Sequence, residues 1–229
     1  MTESTAERLD RRFEIWEAVL LAAATVMVAF AAFQSAKWNG EQADAYARAS
    51  AARVESTRAD TRAGQQTIID VNSFTSWLNA LATERRLDPN ASRAADGSYV
   101  PNQQELSGFL YQRFRPEFKT AADAWLALRP LENANAPPTP FAMKDYRLAE
   151  SQNATRTERQ AEKFSALART ANQRSDDYVL VTILFASVLF FAGISSKMDT
   201  KRARVFLLGT GVVMFVCASI VVLSFPKKF

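Results

Sequence analysis

Residues 29–50, AFAAFQSAKWNGEQADAYARAS, begin as lipid-soluble sequence and end as water-soluble sequence, and nothing between the two halves stops a helix. From Met1 to Leu87 there is no proline, and glycine occurs only at Gly40 and Gly64. An isolated glycine costs a helix interior roughly 1 kcal/mol relative to alanine, which a long helix tolerates. Small residues recur at steps of three and four through Ala18, Ala22, Thr25, Ala29, Ala32, Ala36, Gly40 and Ala43, and then through Ala47, Ser50, Val54, Thr57, Thr61 and Gly64. The two consecutive steps of four at Ala36 and Gly40 are a phase adjustment within one helix. On the same face the residues become larger and more apolar at Ile68, Val71 and Leu78. A sustained stripe of this kind marks a helix packed lengthwise on another, so this face is expected to be the helix-packing interface. The helix is predicted to run out of the apolar region to about Leu87, where Pro89, Gly97 and Pro101 supply a loop. At 1.5 Å per residue, residues 14–87 would extend roughly 110 Å.

Three apolar runs, at 18–36, 178–196 and 205–226, each have about the ~20 residues that cross hydrocarbon as a helix. Trp16 and Trp38 bracket the first, Tyr178 opens the second, and lysines or arginines flank all three. The expected organisation is an N-terminal segment (1–14), a first span (15–36), a helical domain (37–177), a second span (178–196), a turn (197–204), a third span (205–226) and a short tail (227–229). Arg8, Arg11 and Arg12 precede the first span, and Lys197, Lys201, Arg202 and Arg204 fill the turn. By the positive-inside rule both belong in the cytoplasm, which puts residues 37–177 and the C-terminus outside, although Lys227 and Lys228 count the other way. A second reading of the first run is a cleaved signal peptide, against which stands Gln34, a poor residue three before a cut after Ala36.

The net charge of +4 comes mostly from the flanks; residues 37–177 hold 19 basic and 18 acidic side chains. A nucleic-acid partner needs a basic face, so none is expected. Histidine is absent and Cys217 is the single cysteine. That removes the usual zinc sites and the Ser/His and Cys/His nucleophile pairs, and no catalytic residue, cofactor or metal is expected.

A second long helix is predicted after the proline-rich segment NANAPPTP, because Ala154, Thr157, Ala161, Phe164, Ala168, Ala171, Ser175, Tyr178 and Thr182 repeat at helical spacing across the boundary at Asp177. It is expected to run antiparallel to the first. Between the two, Leu106, Phe109, Leu110, Tyr111, Phe114, Phe118, Trp125 and Leu128 form the aromatic-rich part of the insert, which Pro116 kinks or divides. These rings either cap the hairpin as a small core or, with Phe109, Tyr111, Phe114, Phe118 and Trp125 exposed, form a docking patch. Glu17 at the mouth of the first span is the candidate intramembrane polar site. The other polar groups in the spans, including Thr25, Gln34, Thr182, Ser187, Thr210 and Ser219, are neutral. Gly209 and Gly211 read as packing elements of the third span.

The order of span, helical insert of about 140 residues and span resembles the extracytoplasmic four-helix-bundle sensor modules of bacterial chemoreceptors and sensor kinases over residues 15–196, and more loosely bacterial three-pass proteins with a helical insert. The resemblance is one of architecture, carries no site residue, and implies a multi-pass protein of the bacterial inner membrane. In those receptors a large cytoplasmic region follows the second span, where this chain has SSKMDTKRAR and a third span. The expectation is thus an all-α, non-enzymatic membrane protein whose long helices assemble with copies of themselves or with a membrane partner in lipid, as a scaffold or envelope sensor. The alternative is a homo-oligomeric channel in which neutral Thr and Ser line a pore.

Overall fold

The computed structural model describes residues 5–130 and 132–228, with side chains from Arg11 onward; residues 1–4 of the expected N-terminal segment, the Arg8 side chain and Phe229 of the tail lie outside the described residues. Regular structure among these residues is helical: α1 (Thr5–Leu87), α2 (Leu106–Tyr111), α3 (Pro116–Ala127), α4 (Ala149–Ser195) and α5 (Lys201–Ser224), with a 3-10 turn at Pro140–Ala142. Three of them, α1, α4 and α5, are long and apolar enough to cross a membrane.

Local chemistry explains where these helices begin and end. Helix α1 passes Lys37, Gly40 and Gly64 without a break and stops at Leu87. Asp88 precedes a proline and is biased away from helical geometry, and its carboxylate accepts the Asn90 N–H at 2.9 Å. Pro116 divides the aromatic segment by opening α3, where its missing N–H costs nothing. In α2, Gly108 is required by contact: a Cβ there would stand 1.9 Å from the Asn102 carbonyl oxygen.

The chain forms two compact units, one from Met1–Ala49 with Glu162–Phe229 and the other from Ser50–Ala161. In the first, Leu20 and Ala24 pack with Val188, Ala192 and Leu208, while Ala31 packs with Tyr178, Val181, Phe185, Ala218 and Val222. Gly211 is buried, and a Cβ there would meet Leu20 and Phe191, as expected of a packing glycine, whereas Gly209 is exposed and a Cβ there would meet no atom within 4 Å. On α4 the buried positions Ala154, Thr157, Ala161, Ala168, Ala171, Ser175 and Tyr178 follow the expected stripe, whereas Phe164 and Thr182 are half-buried and the adjacent Ser165 and Val181 are buried instead.

The expected packing face of α1 does not lie inside the chain. Ala18, Ala22, Thr25, Ala29, Ala32, Ala36, Gly40 and Ala43 are exposed, and the buried face carries Glu17, Leu20, Ala24, Ala31, Gln34, Ala45 and Ala49. An internal seam on the first set is therefore corrected. Alanine is so frequent in α1 that small residues satisfy a step of three and four on more than one face. The face that won also carries polar side chains with partners across the bundle, which a search for small residues passes over.

Candidate functional site

Glu17, 3% exposed, is the most buried carboxylate among the described residues of the first unit. Its two oxygens accept from Arg204 Nε at 2.9 Å and Nη2 at 3.0 Å, and Ser195 Oγ donates to Oε1 at 2.7 Å. Three helices meet here: Glu17 comes from α1, Ser195 ends α4 and Arg204 lies in the first turns of α5. A fork of two parallel N–H donors is the strongest geometry a carboxylate can find. Glu17 thus works as a clamp that ties α1 to α4 and α5 at one end of the bundle.

A second clamp uses Gln34, which is fully buried. Its Nε2 donates to the Lys228 carbonyl and its Oε1 accepts the Lys228 N–H, both at 2.9 Å, so one side-chain amide reads both main-chain groups of a tail residue. The Pro226 carbonyl accepts from Trp38 Nε1 at 3.2 Å and from the Tyr178 hydroxyl at 3.3 Å. Lys228 Nζ reaches Glu41 at 2.5 Å and lies over the Trp38 ring. The tail therefore sits against the same end of the bundle as Trp38, and Ser35 and Ser175 join α1 to α4 beside it at 3.0 Å.

In the second unit Phe74, Trp77 and Leu81 of α1 meet Tyr111, Phe114, Phe118, Ala122 and Trp125 in one core. The docking-patch reading is corrected at four of its five residues: Tyr111, Phe114, Phe118 and Trp125 are buried, and only Phe109 is exposed, with the Arg113 guanidinium 3.4 Å above its ring. The reason is that α1 brings its own aromatic residues to the same place, and rings with polar handles find partners inside. Trp77 Nε1 donates to the Tyr99 hydroxyl at 3.1 Å, Trp125 Nε1 to the Pro137 carbonyl at 2.6 Å, and the Tyr111 hydroxyl to Asp123.

Beside this core lies a charge that sequence reading missed. Asp70 is 1% exposed on the buried face of α1; its Oδ2 accepts from Arg115 Nη1 at 2.9 Å and from the Tyr146 hydroxyl at 3.0 Å, while Oδ1 has no hydrogen-bond partner. Arg115 also pairs with Glu117, whose Oε1 accepts the Ala149 N–H at 3.0 Å and so caps the start of α4. Counting the buried register from Ala63 by three and four reaches Asp70, which is the signal that could have found it. Thr67 and Tyr146 also border a groove of about 670 Å³ with Asp60, Gly64, Arg147 and Gln152.

Burial pushes the Asp70 carboxyl above its ordinary value, against the Tyr146 hydrogen bond and the Arg115 guanidinium, which pull it down; Glu117 adds to the rise. A raised folded value means that the folded chain binds this proton more tightly than the unfolded chain. Stability from Asp70 therefore grows as pH falls from the folded value toward the ordinary value of 3.8. The unfolding free energy of the protein minus that of Asp70→Asn should rise on acidification through that window. Denaturant titrations at several pH values check this, and a flat or falling difference would contradict it.

No group of three or more metal-ligating side chains occurs among the described residues. No family model matches the chain, and comparison with curated proteins and with solved structures finds no match.

Proposed function

We propose that the chain is a non-enzymatic, three-span integral membrane protein that assembles side by side through the exposed small-residue face of α1, as a scaffold or envelope sensor. The observation that carries this reading is that Ala18, Ala22, Thr25, Ala29, Ala32, Ala36, Gly40 and Ala43 keep helical spacing on a face that α4 and α5 leave uncovered. In lipid, helices associate where small side chains let backbones approach closely, so such a face suits a helix of a neighbouring copy or of a membrane partner.

The placement in a bilayer rests on the clamps and on what is exposed. Glu17 and Gln34 are separated by about 26 Å along α1, close to the ~30 Å of a hydrocarbon core. Between them the bundle turns Val26, Phe33, Leu180, Ile183, Phe190, Val213 and Ile220 outward, an apolar girdle that lipid would cover. Arg11, Arg12, Lys197, Lys201 and Arg202 belong to the Glu17 end, which therefore faces the cytoplasm in this reading. In it α1 and α4 leave the bilayer as an antiparallel helical hairpin that carries the insert. A pore ranks second. Among the described residues the hydroxyls of Thr25, Ser187 and Thr210 donate to carbonyls of their own helices, those of Leu21, Ile183 and Phe206, and the large exposed side chains of the spans are apolar.

Disulfide crosslinking tests the assembly. In a Cys217→Ser background, Ala29→Cys is expected to form a covalent dimer in membranes, and Ala31→Cys, at a fully buried position, is not. Failure of Ala22→Cys, Ala29→Cys and Ala32→Cys alike to crosslink would remove the proposed seam.

A further inference from the structure

We infer that Asp70 is a proton-binding site of the second unit, and that filling it shifts Arg115 from α1 to α3. Every group involved lies within Ser50–Ala161, so the site goes beyond the assembly proposed above and does not depend on it.

The cause is a surplus of negative charge in a place that water does not reach. Two carboxylates, those of Asp70 and Glu117, share the single guanidinium of Arg115, so the ionised cluster carries one uncompensated charge. A buried group in that position is relieved by binding a proton. Asp70 takes it, being 1% exposed, whereas Glu117 is 31% exposed and its two oxygens already accept from Arg115 and from the Ala149 N–H. Within Asp70, Oδ1 is the oxygen left for it. Oδ2 accepts from Arg115 at 2.9 Å and from the Tyr146 hydroxyl at 3.0 Å, while Oδ1 is buried without a donor. One turn back along α1, Gln66 Oε1 is also buried without a donor. Side chains four residues apart on a helix are neighbours, so a proton on Oδ1 gives both oxygens the hydrogen bond they lack.

Both donors to Oδ2 have a second acceptor in place. Arg115 also pairs with Glu117, and the Tyr146 hydroxyl lies 3.3 Å from Thr67 Oγ1. Neutralising Asp70 weakens its charge-assisted bond to Arg115 and leaves the guanidinium to Glu117, which holds the first N–H of α4. Of the neighbouring charges, Arg62 faces Glu150 at 3.9 Å about two turns back along α1, and Asp145 and Arg147, beside Tyr146 in sequence, are exposed. Burial, the largest cause of the raised Asp70 value, and the Glu117 charge act in the same direction.

Carboxyl-carbon NMR of the full-length protein, labelled at aspartate and titrated with pH, tests the site, with Asp70→Asn assigning the signal. Asp70 is expected to titrate above its ordinary value of 3.8. Arg115→Gln should raise that midpoint by about one pH unit or more, and Glu117→Gln should lower it. The Ala149 amide signal should carry a step at the Asp70 midpoint that is absent in Asp70→Asn. Melting temperatures confirm that each variant folds. An Asp70 midpoint at or below 3.8 would overturn the proton site. An Ala149 signal with no step at the Asp70 midpoint would overturn the shift of Arg115. A lower midpoint in Arg115→Gln, or a higher one in Glu117→Gln, would overturn the charge surplus as the cause.

Discussion

Replacing Trp77 with alanine is expected to destabilise the second unit by about 3–5 kcal/mol, the range for deleting a large buried aromatic side chain. Trp77 is 1% exposed and stacks on Phe74 with ring centroids 5.7 Å apart, while Tyr99 and Phe114 meet it edge-on. Its removal opens a cavity among residues from α1, α2, α3 and the loop that carries Tyr99, and deprives the Tyr99 hydroxyl of its donor. Trp77→Phe should recover part of the loss because it refills some of that volume. Thermal unfolding followed by near-ultraviolet circular dichroism reads the effect. An unchanged transition in Trp77→Ala would show that these rings do not form a cooperative core.

The second large effect is expected at Arg204. Arg204→Ala leaves the Glu17 carboxylate buried with only the Ser195 hydroxyl, and removing one partner of a buried ion pair costs about 3–5 kcal/mol. The same principle predicts that replacing both partners, as in Glu17→Leu with Arg204→Met, restores much of the stability, because no uncompensated charge remains. Denaturation in mixed micelles, comparing the two single variants with the double, measures the coupling. If the double variant were as unstable as the sum of the singles, Glu17 and Arg204 would be contributing independently and the clamp would be refuted.

Helix extent was legible because it depends on local chemistry. The absence of proline before Pro89, the pair of glycines too isolated to break a helix, and Pro116 at a first helical position are read directly from residue types. The register of α4 was legible too, since its buried face combines small residues with Phe185, Val188 and Tyr178, and its other faces are plainly charged or lipid-facing. The register of α1 was not. Val28, one residue from Ala29, is partly buried against the cluster around Ala31, Tyr178 and Phe185, whereas Ala29 itself is exposed. Neighbours so alike in size and polarity are separated only by what the rest of the chain places against them.

The polar sites were hidden for a related reason. Glu17 is visible as a carboxylate beside an apolar run, but its partner lies 187 residues away in sequence, among basic residues that read as a topology signal. Gln34 pairs with the backbone of Lys228, whose side chain carries no information about that bond. Asp70 sits in a helix segment whose neighbours Ile68, Ile69 and Val71 are exposed, the reverse of what their hydrophobicity suggests. In each case a tertiary partner decides which residue is inside, and periodicity alone cannot supply it.

In the proposed assembly the uncovered face of α1 joins one copy of the chain to another. The most direct measurement is the mass of the full-length protein extracted in native lipid nanodiscs, taken for the protein itself, for Ala29→Leu, which adds bulk to that face, and for Val26→Phe, which adds bulk at a position that is 66% exposed and off the stripe. A particle of two or more chains is expected for the protein and for Val26→Phe, and a folded single chain for Ala29→Leu. A single chain in all three, or an oligomer that survives Ala29→Leu unchanged, would contradict it.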